Sequence, residues 1–166
     1  WNYSLLSSVS LFGWSVCYKM FTGKGKIKKE HKTATIIEIP DFKATWKDYK
    51  SRYPVKVKDG YATMYKAVHK SDEGKYFSDY NKNFFYEIGK EIEHEVAPKD
   101  AGSCSMGIHV AHKSWARSFG FSWQDMALLE CKVKVKDIVI SKDCDGKVRT
   151  SRLTVIREVP KEEWYD

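Results

Sequence analysis

The side chains best equipped for chemistry cluster between Cys104 and His112, in Gly102-Ser103-Cys104-Ser105-Met106-Gly107-Ile108-His109-Val110-Ala111-His112. A thiol followed closely by an imidazole is the minimum for a Cys–His nucleophile, which also needs spatial closeness and a third group to orient the base. Cys104, His109 and His112, with His94 upstream, also offer the soft and imidazole ligands that zinc takes. The sequence shows neither requirement of the nucleophile, and the spacing argues against the metal. His109 falls on a strand and His112 at a helix start, so their rings need not converge, and no metal is expected. A buried or hydrogen-bonded His109 beside a free Cys104 is the simpler reading. The cysteines, Cys17, Cys104, Cys131 and Cys144, form no C-x-x-C pair, which points to reduced thiols rather than a disulfide scaffold. The chain has no glycine-rich phosphate loop, no G-x-S-x-G and no H-E-x-x-H.

The element that carries His109 is the most distinctive in the chain. Gly107 leads into the apolar Ile108-His109-Val110-Ala111, and His112-Lys113-Ser114-Trp115 then opens a short helix closed at Gly120. Such a strand-to-helix turn builds one wall of a pocket. At Gly107 the backbone can approach a ligand, and His109 is presented from a rigid element.

The surrounding elements follow from periodicity and turn residues. Residues 8 to 18 read as two short strands or one bulged strand, and Thr22 to Lys32 as an exposed basic linker. Thr33 to Ile39 is a β-branched strand stopped by Pro40. Asp41 then caps a helix with Phe42, Trp46, Tyr49 and Tyr53 on one face. Val55 to Val68 is a hairpin about Asp59-Gly60, a pair suited to a type I′ turn. His69 to Asn83 reads as a flexible loop. Phe84 to Glu95 is a strand turning at Gly89, Ala127 to Ile140 a long strand, and Val148 to Val159 the last one. The fold class is α+β: a mostly antiparallel twisted sheet with two short helices and an N-terminal β-rich annex. Residues 1–32 form an uncharged β segment and basic linker, and residues 33–166 the α+β domain, with its core at 61–159.

Composition bounds the partners. Six Trp, ten Tyr and eight Phe, with 42% apolar residues, indicate a folded chain. Its 29 Lys and Arg against 22 Asp and Glu leave a net charge of +7. That balance favours an anionic nucleotide, an acidic protein or nucleic acid, although nucleic-acid recognition motifs are missing. No charge precedes Lys19, yet serines, Asn2 and Gly13 dilute that stretch well below a spanning helix, so no membrane association is expected. No secretion signal is visible. The sequence starts at Trp1 rather than methionine, as expected of a processed or trimmed chain or a part of a longer protein.

Two resemblances bear on function. From Tyr65 to Val159 the chain resembles an uncharacterised domain common in bacteriophage and prophage genomes. The resemblance is carried by Tyr65-Lys66, Phe85-Tyr86-Glu87-Ile88-Gly89-Lys90, Cys104 and Gly107-Ile108-His109. The same segment is similar to the core of ADP-ribosyltransferase-like folds, including the poly-ADP-ribose polymerases and the tRNA 2′-phosphotransferases. Here the matching residues are Tyr65-Lys66, Gly107-Ile108-His109-Val110-Ala111, Lys113-Ser114 and Leu128-Leu129-Glu130-Cys131-Lys132-Val133. It departs from that superfamily at Lys66, where His or Arg is usual, and at His109, which replaces Tyr.

The second resemblance implies cleavage of the nicotinamide–ribose bond of NAD. It implies a cofactor site of Tyr65, Lys66, Gly107, Ser114, Trp115 and Phe119, with His109, Glu158 and, second, Glu130 as catalytic residues. The expected function is that of a phage accessory protein, acting in the host cytoplasm or carried in the virion. It would transfer ADP-ribose from NAD to a host protein or other macromolecule. The alternative is a non-catalytic phage or virion module that docks a partner through its basic sheet face.

Overall fold

A computed structural model describes the backbone of residues 16–19 and 35–38, and residues 42–120 and 124–165 in full. The chain divides into two compact units, Trp1–Asp41 and Phe42–Asp166. In the first, β1 (Val16–Lys19) pairs in parallel with β2 (Thr35–Glu38). The expected strand over residues 8–15 and the linker over 22–32 lie outside the described residues.

The second unit opens with α1 (Trp46–Arg52). Its cap is Thr45, whose Oγ1 accepts the Asp48 N–H at 3.2 Å, so the helix begins later than a cap at Asp41 would place it. Tyr49 on the expected aromatic face is fully buried, and its hydroxyl donates to the Gly146 carbonyl at 2.7 Å. The hairpin of β3 (Val57–Lys58) and β4 (Tyr61–Lys70) turns at Asp59 and Gly60, with φ of +52 and +76. Two positive φ values in succession make this the type I′ turn that Asp-Gly favours.

The stretch read as a flexible loop after His69 instead contains β5 (Tyr76–Phe77). This strand turns back on the end of β4 and pairs with β6 (Phe85–Tyr86). β7 (Glu91–Glu93) follows Gly89. Then come β8 (Ile108–Ala111), α2 (Lys113–Phe119) and β9 (Met126–Lys134). The long strand expected to reach Ile140 breaks at a 3-10 turn over Val135–Asp137, before β10 (Ile138–Val139). The last expected strand is likewise two, β11 (Lys147–Thr150) and β12 (Arg152–Glu158). Thr150 makes the corner between them: its hydroxyl donates to the Arg152 carbonyl at 2.9 Å.

These strands form a ten-stranded sheet with the main path β10-β11-β8-β4-β9-β12-β7. Its strand pairs are antiparallel. The fold is therefore α+β, a mostly antiparallel sheet with two α-helices among the described residues.

Both faces carry core, because alternate side chains of a strand point to opposite sides. Met64, Val68, Leu129, Cys131, Val133, Leu153 and Val155 pack on one face with Tyr49 of α1. Ala67, Leu128, Met126 and Val159 pack on the other against Ala116 and Trp115 of α2 and against Trp164. One joint is weak. β4 and β9 pair continuously from Tyr61↔Lys134 to His69↔Met126, whereas β4 and β8 meet only at Tyr65↔Ala111. Beyond that rung the two strands part.

Candidate functional site

The parting of β4 and β8 opens a cavity of about 280 Å³. That is just below the usual range of small-molecule clefts, roughly 300–1,000 Å³. β4 contributes Tyr65 and Lys66, β8 contributes His109 and its neighbours, and α2 contributes Trp115 and Phe119. Gly107 lies at the entry to β8. The far wall is the Ser78–Asn81 turn with Phe84 and Tyr86, and Cys104 and Lys147 complete the lining.

Lys66 sits deep in this space. Its Nζ donates to the His109 carbonyl at 3.0 Å and lies 5.3 Å from the centre of the Tyr86 ring. Among the described residues it pairs with no carboxylate. Burial, only partly opposed by Cys131 and then by the Asp79 charge, pushes its ammonium down to about 8. An ammonium so placed favours an anionic guest, because the guest supplies the missing counter-charge.

His109 is a neutral base. Burial, reinforced by the positive charges of Lys66 and Lys147, pushes its imidazole down to about 4. Its Nε2 lies 3.1 Å from the Ser103 carbonyl. A carbonyl only accepts, so Nε2 carries the proton and Nδ1 is the ring's basic nitrogen. His112 turns away from His109 and stacks on Tyr53 with ring centres 5.1 Å apart. Trp115 and Phe119, one helical turn apart, stack at 5.3 Å and 10° and give the cavity a flat aromatic wall. Lys147 Nζ lies 5.5 Å from the centre of the Trp115 ring and donates to Cys104 Sγ at 3.0 Å.

The rim from Ala97 to Met106 is fastened from below. Arg149 of β11 is fully buried, and its guanidinium donates to the carbonyls of Ala97, Pro98 and Met106 and to Ser141 Oγ. Asp143 accepts from the Ser103 amide and hydroxyl. Gly107, with φ of +143, has its other side occupied: an added Cβ would lie 3.0 Å from Val96 Cγ2 and 3.2 Å from Arg149 Cβ. The positive φ and the tight packing behind the strand together favour glycine here, whatever its backbone meets in the cavity.

Of the residues singled out in the sequence, Tyr65, Lys66, Gly107, His109, Trp115 and Phe119 come together here. Ser114 is exposed on α2 and does not line the cavity. Neither do the two glutamates. Glu158 accepts from Lys70 Nζ and from the Tyr76 hydroxyl, each at 2.7 Å. Burial would raise its carboxyl, but these two partners hold it below the usual carboxylate range. Glu130 is ion-paired to Arg157 at 3.0 Å.

The sequence reading missed the opposite wall, with Asp79, Tyr80 and Tyr86, and Lys147 at the rim. The polar run after His69 hid the first group behind a two-residue strand. Lys147 is brought in by the bend at Asp145 and Gly146, where Gly146 has a φ of +115.

Comparison with known proteins finds sequence similarity to phage proteins. It is 41% identical over 105 residues to Gabija anti-defense 2 of Bacillus phage SPbetaL7, covering 62% of this chain and 25% of that protein. It is 32% identical over 109 residues to protein rIIB of Enterobacteria phage T4, covering 63% of this chain and 33% of that protein. The chain thus spans a quarter to a third of the length of these curated relatives. No family model and no solved structure matches it. Among the described residues, no helix is long and apolar enough to cross a membrane.

Proposed function

We propose that this chain is the nucleotide-binding part of a phage accessory protein directed at host defence. In this reading its cavity takes NAD and supports transfer of ADP-ribose to a host macromolecule. The carrying observation is the pairing of a deep, carboxylate-free Lys66 with the Trp115–Phe119 wall in one cleft. Such a cleft suits a guest that is planar at one end and anionic at the other. The name of the SPbetaL7 relative supports the defence-directed role. The sequence similarity to ADP-ribosyltransferase-like folds supports the choice of NAD. With NAD in place the chemistry is glycosyl transfer: the ribose C1′–N bond breaks, its electron pair leaves with nicotinamide, and C1′ bonds a target nucleophile whose proton passes to solvent. His109, whose Nδ1 is unprotonated, is the residue of this cavity suited to relay that proton to solvent.

Thermal unfolding with and without NAD tests the reading. Saturation at a hundredfold over the dissociation constant stabilises by about 2.7 kcal/mol. An unchanged transition at millimolar NAD, with no nicotinamide released, would refute it.

A second reading has its own observation. Tyr61 on β4 lies under two ammonium groups of β9, Lys132 at 4.1 Å and Lys134 at 5.9 Å, with Lys132 exposed. This cationic, aromatic strip suits an acidic partner protein, in the host cell or in a virion. Loss of partner binding in a Lys132→Glu, Lys134→Glu variant that still binds NAD would favour docking through this face.

A further inference from the structure

We infer that Asp79 is the charge-complementing carboxylate of the cavity: it faces the cationic nicotinamide–ribose end of the guest, and His69 with Asp125 holds it in place. This assignment rests on the NAD reading above and gives the acidic role to a residue other than the two glutamates.

Three observations carry it. First, Asp79 is the acidic side chain among the described residues that line the cavity, whereas Glu158 and Glu130 are engaged elsewhere by Lys70 and Arg157. Second, Asp79 is half committed. Its Oδ1 meets His69 Nε2 at 3.1 Å, and Oδ2 has no hydrogen-bond partner among the described residues. Third, it is held from behind. The other ring nitrogen of His69, Nδ1, lies 2.8 and 2.9 Å from the two carboxylate oxygens of Asp125, and the ring stacks on Phe77 at 5.3 Å. A carboxylate only accepts, so the ring can donate to both aspartates only as the doubly protonated imidazolium. Asp125 precedes β9 and Asp79 follows β5, so this ring ties the cavity's far wall to the main sheet.

The arrangement supplies what the rest of the cavity lacks. Lys66 and Lys147 are cationic and suit phosphate oxygens; neither suits a positively charged ring. A carboxylate at the wall does. Asp79 is a binding residue in this scheme, and His69 is a positioning residue that acts through it.

The sign of the pH dependence follows from the same geometry. Partial burial would lower the His69 pKa, but hydrogen bonds to Asp125 and then Asp79 raise it above its ordinary 6.5. The clamp is therefore complete below about 6.5 and weakens as pH rises through the folded-state value. Above it, the neutral ring keeps one N–H and can serve only one of the two aspartates.

The test uses the chain with oxidised NAD, whose nicotinamide is cationic, and NADH, whose dihydronicotinamide is neutral. Dissociation constants are measured by titration calorimetry at pH 6 and pH 8.5. A carboxylate a few ångströms from a cation shifts equilibria by about tenfold or more. The native chain is expected to bind oxidised NAD about tenfold more tightly than NADH at pH 6. Asp79→Asn should bring that ratio towards one while its melting temperature without ligand stays near native. His69→Gln should leave a smaller ratio that no longer changes between pH 6 and 8.5. If the native chain prefers the oxidised form and Asp79→Asn keeps that preference, or if Glu158→Gln abolishes it instead, the assignment of Asp79 is overturned and the NAD reading survives. If neither dinucleotide binds the native chain, both fall together.

Discussion

Replacing Arg149 by Met tests how the cavity rim is held. The substitution keeps the apolar stem and removes the guanidinium that lies beneath the Ala97–Met106 segment. Of its four hydrogen bonds, those to the Ala97 carbonyl, the Pro98 carbonyl and Ser141 Oγ are 2.9, 3.0 and 2.9 Å long, and the one to Met106 is a weaker 3.3 Å. Bonds from a charged donor contribute about 1.5–3 kcal/mol each. The three short ones at the low end give about 4.5 kcal/mol gross.

Part of that is offset. The guanidinium is buried with no carboxylate partner among the described residues, its Nε makes no hydrogen bond, and removing it relieves a desolvation cost. The net loss expected is about 2–4 kcal/mol by urea unfolding. Arg149→Lys should fall between, because an ammonium is a point donor and cannot span three carbonyls as a planar fork does. Amide hydrogen exchange should place the defect: protection should fall first between residues 97 and 106, while the β4–β9 ladder keeps its own. The segment closes on itself through Ala97 N–H to the Met106 carbonyl at 2.9 Å, so its loosening should be cooperative. A loss below about 1 kcal/mol, or uniform deprotection of the sheet, would show that Arg149 is not what fastens this segment.

Two further outcomes follow from the packing and charge around the cavity. Gly146→Ala puts a Cβ 2.9 Å from Trp115 Cδ1 at a φ of +115. Strain and overpacking should together cost about 2–4 kcal/mol and alter Trp115 emission, read by calorimetry and fluorescence; a native-like melting temperature would contradict this. Lys66→Met removes a group whose folded-state value, about 8, lies below its ordinary 10.5 because burial disfavours the charge. The unfolded chain holds that proton more tightly, so the native protein should gain stability relative to Lys66→Met as pH rises from about 8 towards 10.5. Unfolding free energies of the pair that run parallel across that range would contradict the burial of a charged Lys66.

The parts of this fold legible in the sequence were those fixed by local rules. Asp59-Gly60 announced a turn needing two positive φ values, and Phe42, Trp46, Tyr49 and Tyr53 announced one buried helical face. The Gly107–Gly120 strand and helix appear where apolar run and closing glycine place them. The rest depended on tertiary pairing. Val148 to Val159 reads as one β-rich run, yet Thr150 and Ser151 turn a corner, so that β11 joins β8 while β12 joins β9 and β7. β-propensity is high on both sides of that corner and cannot mark it.

The same corner explains the fate of Glu158. Beyond it the register of β12 shifts between Val155 and Arg157, and Glu158 arrives beside Lys70 and Tyr76. Half of the cavity was readable because it comes from long elements, β4, β8 and α2. The other half comes from Ser78 to Asn81, where two residues of strand leave no periodicity to detect.

A sheet joined across its middle by one rung behaves like a book stitched at a single point. Changing the angle between the β8 leaf and the β4 leaf sacrifices few ladder hydrogen bonds, since Tyr65↔Ala111 is the pairing between them. The width of the opening is therefore governed by side chains and ties across it, chiefly Lys66 to the His109 carbonyl and α2 against β4. Altering those ties can fit the slot to differently sized guests without disturbing either leaf, so a lineage can change what it recognises while conserving how it folds.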